Sequence, residues 1–197
     1  MSHAHDCFRW TRPALKTVTR RHALATAVAW LFAPAGAALL PTTALAKDVS
    51  ATGKAASSSA DASPVDFVLP GLDGRQYALS AFRGKWVVVN FWATWCGTCI
   101  EEMGELQSFS DAHEDAQVLG VNFEEIDPAL LSEFVADLKV TFPILLVGEK
   151  PLLPFEPLKG LPTTAIVDPD GQMVAHHTGA VTRAALEQFI EAERSRS

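Results

Sequence analysis

A chain of 197 residues, 48% of them apolar, is long enough for one domain with a full core plus a leader. Its formal charge of −7 and the absence of any basic patch exclude a nucleic-acid binder that works by displacing counterions. The sequence contains no phosphate loop, no dinucleotide fingerprint and no internal repeat.

Residues 1–46 stand apart in composition. Arg9, Arg12, Lys16, Arg20 and Arg21 precede a run, Ala23 to Ala46, that carries no charge and ends in Ala44-Leu45-Ala46. A basic region, an apolar run and a small-x-small end read as an export signal cleaved near Ala46. The run is also long enough to span a bilayer, which keeps an uncleaved anchor open, although Pro34, Gly36 and Pro41 weaken it. In both readings the domain lies outside the cytoplasm. Thr19 to Leu24, TRRHAL, also resembles a twin-arginine signal, leaving two export routes open. The leader takes Cys7 with it, so the exported domain holds two cysteines, Cys96 and Cys99.

Residues 47–64 are small and polar and read as a flexible linker; the domain is expected over 65–197. Val65 to Leu79 has two short apolar runs around Asp73-Gly74, a hairpin signature. Lys85 to Ala93, KWVVVNFWA, is a continuous β-branched and aromatic run, as in a buried central strand. Gly97 to about His113 suits a helix, with Ile100, Met103, Leu106 and Phe109 three apart. Ala116 to Phe123 is a second buried strand. Asp127 and Pro128 open a helix as cap and first residue. Thr141 to Val147 reads as a short strand, and Pro151, Pro154 and Pro157 mark a loop. Pro162 to His177 reads as a hairpin turned at Asp168 to Gly171, and a last helix runs from Thr182 with Ala185, Phe189 and Ala192 near one face. Alternating strands and helices predict an α/β fold, a central mixed sheet covered on both faces with the last hairpin antiparallel.

The chemistry concentrates in Asn90 to Glu102, NFWATWCGTCIEE. A disulfide across C-x-x-C closes so small a loop that it restricts the unfolded chain little, which argues against a staple. A metal site needs two more ligands than Cys96 and Cys99 provide. His176 and His177 are adjacent, so as strand neighbours they face opposite ways. A copper carrier using the two cysteines and one of these histidines stays open. A redox pair fits best. Cys96 falls where a strand gives way to a helix, so unpaired N–H groups and the helix dipole favour its thiolate. Cys99, one turn inward, is placed to attack a mixed disulfide formed at Cys96.

FWATWCGTC followed by GLPTTAIVDPDG is similar to the thioredoxin-like fold, and resembles the TlpA/ResA group of exported thiol–disulfide oxidoreductases over about Val65 to Ile190. The resemblance implies that Cys96 attacks and Cys99 resolves, with Trp95 flanking the site. It implies a cis peptide at Pro162, preceded by Leu161, whose backbone receives the extended chain of the substrate. Glu102 matches the group's active-site glutamate, one helical turn from Cys99, where a half-buried carboxyl would relay a proton. Glu125, taken over Glu124, matches an acid after the next strand. Asn90 stands where thioredoxins proper carry a buried aspartate. Gly104 replaces a frequent helix proline, and Thr98 replaces the proline common between the cysteines of reducing members, which touches the reduction potential.

The activity implied is exchange of the Cys96–Cys99 dithiol or disulfide with protein substrates, mainly as a periplasmic reductant, with no cofactor and no bound metal. Apocytochrome c is the substrate that the resemblance suggests, a membrane thiol carrier the donor, and a monomer the working form. A thiol oxidant, a thiol peroxidase and the copper carrier are the alternatives.

Overall fold

The computed structural model describes residues 10–12, 64–147, 155 and 157–196. The expected leader lies outside the described residues apart from Trp10–Arg12, and so does the expected linker apart from Pro64. Among the described residues no helix is long and apolar enough to cross a membrane.

The first two strands, β1 (Val68–Pro70) and β2 (Gln76–Ala78), form the expected antiparallel hairpin, followed by a 3-10 turn over Leu79–Phe82. Its bend depends on Gly74, which sits at a φ of 79°, a conformation that costs a side chain but not glycine. The central sheet then runs β5-β4-β3-β6-β7. Its members are β3 (Trp86–Trp92), β4 (Ala116–Asn122), β5 (Ile144–Leu146), β6 (Thr163–Val167) and β7 (Met173–Thr178). The strands β3, β4 and β5 are parallel, whereas β6 pairs antiparallel with β3 and with β7.

All seven residues of β3 are buried, because both faces of this strand are covered. Its alternate residues serve two different layers. Val88 and Trp92 pack beneath α1 (Gly97–Ala112) and α3 (Arg183–Arg194), with Cys99, Met103, Leu106, Phe109, Leu186 and Ile190. Leu131 of α2 (Pro128–Leu138) joins that layer, and Phe134 stacks on Trp92 with ring centroids 6.3 Å apart. Val87, Val89 and Phe91 face the other way, where Phe67, Leu69, Leu79 and Phe155 close the sheet. The hairpin and the 3-10 turn thus do on this face what helices do on the first.

Two helices carry side-chain caps: α2 at Asp127, as its sequence predicts, and α3 at Thr182, which the sequence reading places inside the helix. The Asp127 side chain accepts from Ala129 N at 2.7 Å, and the Thr182 side chain accepts from Ala185 N at 3.2 Å. In α3 the buried stripe is Leu186, Phe189 and Ile190, with Ala185 and Ala192 only at its margins. The larger side chains take the core because they remove more apolar area from water.

Leu106 of α1 is fully buried in the layer below the cysteines. Leu106→Ala is expected to destabilise the domain by about 2–5 kcal/mol through lost burial and a residual cavity. Urea unfolding monitored by circular dichroism checks this: the midpoint falls with an unchanged slope.

Candidate active site

The buried strand β3 ends at Trp92, and four residues later Cys96 is the N-cap of α1. Cys96 and Cys99 are joined by a disulfide. Cys96 Sγ also accepts from Cys99 N at 3.3 Å, one of the amides that a helix start leaves unpaired. The first turn of α1 holds no acid that would oppose negative charge on that sulfur. On reduction, the open amides and the positive end of the helix favour a thiolate at Cys96. Cys96 is 8% exposed and Cys99 is not exposed at all, so an incoming sulfur meets Cys96 first. Trp95 stands beside it, 70% exposed, as an apolar flank.

The Leu161–Pro162 peptide is cis. Its surroundings fix it from both sides: Pro162 O accepts from Gly179 N at 2.9 Å, and Thr163 Oγ1 donates to Gly160 O at 2.7 Å. Thr163 pairs with Phe91 in the ladder, which lays the start of β6 beside the end of β3. The cis peptide therefore lies at the same end of the sheet as the cysteines.

Glu102 is 2% exposed on the inner face of α1, one turn after Cys99. Its Oε1 accepts from Asn90 Nδ2 at 2.8 Å, and its Oε2 accepts from Val181 N at 2.7 Å. Asn90 Nδ2 also donates to Thr164 Oγ1 at 3.0 Å. Burial drives the Glu102 pKa up from 4.5 to about 7, against the two hydrogen bonds, which favour the carboxylate. The carboxyl therefore changes charge near neutrality, which suits proton transfer at ordinary pH. Asn90 Oδ1 is buried without a hydrogen-bond partner.

The two acids after β4 are placed differently. Glu125 is exposed, whereas Glu124 engages the loop before the cysteines. Glu124 Oε1 accepts from Thr94 N at 2.8 Å and from Asn122 Nδ2 at 2.9 Å, and its Oε2 accepts from Thr94 Oγ1 at 3.2 Å. Asn122 lies opposite Trp92 in the ladder, and two residues on, Glu124 reaches back across to the loop that follows Trp92. Sequence reasoning missed two further participants. Val181 and Thr164 act through one backbone amide and one hydroxyl, which leave no mark on the pattern of residue types.

His176 lines a cleft with Phe91 and Ala165, while the His177 ring lies 5.8 Å from that of Trp10, so the two serve different faces of β7. Among the described residues no three His, Cys, Asp or Glu side chains gather in a way that could hold a metal.

Residues 61–176, which include the cysteine pair, the cis peptide and Glu102, match the AhpC/TSA family. The chain belongs to that family. It is 34% identical over 129 residues to the thiol-disulfide oxidoreductase ResA of Geobacillus thermodenitrificans, covering 64% of this chain and 73% of that protein. The exposed lipoprotein thioredoxin Etrx1 of Streptococcus pneumoniae superposes with a TM-score of 0.58 at 30% identity, over 65% of this chain and 99% of that one. A DsbF homologue from Corynebacterium diphtheriae superposes with a TM-score of 0.60 at 26% identity, over 66% and 85%. Within the family the chain is a thioredoxin-like thiol–disulfide oxidoreductase of the ResA/TlpA type.

The raised Glu102 pKa has a thermodynamic consequence. A carboxyl that binds its proton more tightly folded than unfolded favours the fold at low pH, and that contribution is lost as pH rises from about 4.5 to about 7. Glu102→Gln is expected to flatten this part of the stability-against-pH curve. Asn90→Ala removes a donor to the carboxylate and is expected to move the Glu102 titration higher still. Infrared absorption of the protonated carboxyl, followed through a pH titration, checks both; an unmoved titration in Asn90→Ala would show that the amide does not tune Glu102.

Proposed function

We propose that this chain is an exported protein-disulfide reductase in which Cys96 attacks, Cys99 resolves and Glu102 handles the proton of the resolving thiol. The observation that carries this reading is the Glu102 carboxyl buried one turn behind Cys99, where burial pushes its pKa up to about 7. The Cys96 thiolate attacks one sulfur of a substrate disulfide; that S–S bond breaks, and the departing sulfur leaves as a thiolate that takes up a proton. Cys99 then gives its proton to Glu102 or to water and attacks Cys96 Sγ. The mixed disulfide breaks, the second substrate sulfur leaves and is protonated, and the Cys96–Cys99 disulfide forms. Two electrons pass from the dithiol to the substrate.

Trp95, Leu161 and Pro162 receive the substrate. Leu161 offers its backbone beside the cis bond for a short strand addition, Pro162 shapes that approach through the cis bond, and Trp95 is an apolar wall. Glu124 holds the Thr94 loop that carries Trp95, and it takes the place first given to Glu125. The basic and apolar leader and the exposed or secreted relatives support a site outside the cytoplasm, soluble after cleavage near Ala46. In that oxidising compartment a reductant is recharged by a membrane thiol carrier, and apocytochrome c is the substrate we favour.

Cys99→Ala tests the core of this reading. The variant is expected to accumulate mixed disulfides at Cys96, whose partners mass spectrometry identifies, while Cys96→Ala traps nothing and loses insulin-reductase activity. Trapped partners held as reduced thiols in the wild-type strain mark a reductant; partners left oxidised mark an oxidant. Turnover undiminished in Cys99→Ala, or peroxide consumption outpacing disulfide exchange, would sink the proposal. Glu102→Gln is expected to slow exchange about 10–100-fold, a share of what positioned acid–base catalysis contributes, and to remove the inflection near neutral pH.

A further inference from the structure

The outer edge of β7 does not stand bare. Thr11 N donates to His176 O at 2.8 Å, and His176 N donates to Thr11 O at 2.9 Å, a two-bond antiparallel bridge. Successive side chains of an extended segment face opposite ways. Trp10 and Arg12 accordingly meet α3. The Trp10 ring centroid is 4.8 Å from that of Phe189, and the Arg12 guanidinium pairs with the Glu193 carboxylate. Phe189 and Glu193 are four residues apart and so share one face of the helix. Thr11 points the other way and walls a cleft of about 270 Å³ with Lys159, His176, Thr178, Phe155 and Thr163. Thr163 directly follows the cis peptide.

We infer that the β7–α3 edge is a docking groove for an extended aromatic–polar–basic segment, and that Trp10-Thr11-Arg12 is its occupant. A sheet edge offers unpaired backbone groups to any strand, and backbone pairing alone selects nothing. Here the side chains add selection. The ring of Phe189, the charge of Glu193 and the cleft beside His176 meet the three side chains in the order and alternation that an extended segment presents. The groups that select the segment, Phe189 and Glu193, take no part in the thiol chemistry, so the groove stands or falls apart from the redox reading. Its consequence rests on the leader reading: Trp10–Arg12 lie in the expected leader, so the edge is capped in the full-length chain and opens once the leader is removed. An uncleaved anchor with its basic flank in the cytoplasm would separate the segment from the groove by a membrane.

The test uses the full-length chain. Trp10→Ala with Arg12→Ala should vacate the groove, and a fluorescent synthetic peptide of residues 8–14, FRWTRPA, is the probe. Fluorescence anisotropy is expected to show binding at least about tenfold tighter to the double variant than to the wild type, where the resident segment competes. Glu193→Arg in the vacated chain should weaken the peptide, and a peptide carrying Arg12→Glu should recover the loss. In the wild type the His176 amide should resist hydrogen exchange through its bond to Thr11, and the double variant should lose that protection. Equal peptide binding to both chains, no effect of Glu193→Arg, or an unprotected His176 amide in the wild type overturns the proposal. A wild-type dimer in sedimentation that the double variant lacks would place the segment on a second copy and overturn occupancy within one chain.

Discussion

The site depends on burying one carboxyl. Removing Glu102 from water is costly, and a buried polar group is tolerated only where donors meet it. Two do, from parts of the chain far apart in sequence: the Asn90 amide of β3 and the Val181 N–H of the loop before α3. The incomplete balance between burial and those bonds holds the pKa near neutrality. The same two bonds tie the helix that carries both cysteines to the central strand and to the loop before α3. A change that loosens this knot therefore touches proton chemistry and helix position together.

Around that knot the sheet brings three reactive features to one end. The strand β3 delivers the chain to the start of α1, where Cys96 caps the helix. Beside it β6 starts at the cis peptide, and Asn90 reaches across to Thr164 two residues further along. Adjacent β4 ends at Asn122, from which Glu124 braces the loop that displays Trp95. Each strand of the central three thus places one element at the same end: the cysteine that caps α1, the cis peptide, and the Glu124 brace. Parallel and antiparallel pairing are both needed, since the end of β3 and the start of β6 must coincide.

Much of this was legible in residue order. The buried strand before the cysteines, the helix after them and the capped start of α2 follow from unbroken apolar runs, spacing and Asp127-Pro128. Cys96 and Cys99 stand out because the one other cysteine of the sequence is the distant Cys7, and Glu102 stands out by its turn-length spacing from Cys99. The segment Leu161-Pro162-Thr163 carried weight because of its place after the C-x-x-C motif.

What the sequence by itself determined is local: which residues make strands and helices, and which cysteine sits at a helix start. Those properties depend on near neighbours and on alternation with period 2 or 3.6. Only the tertiary structure decided the long-range contacts: that Glu102 is buried between Asn90 and Val181, that Glu124 rather than Glu125 braces the loop, and that the second face of the sheet is closed by a hairpin and Phe155. It alone placed Trp10–Arg12 against β7. These contacts join residues dozens of positions apart through backbone amides, single hydroxyls and the side to which a residue two past a strand end turns. Such groups are common to every chain, so their partners are fixed by packing and carry no sequence pattern of their own.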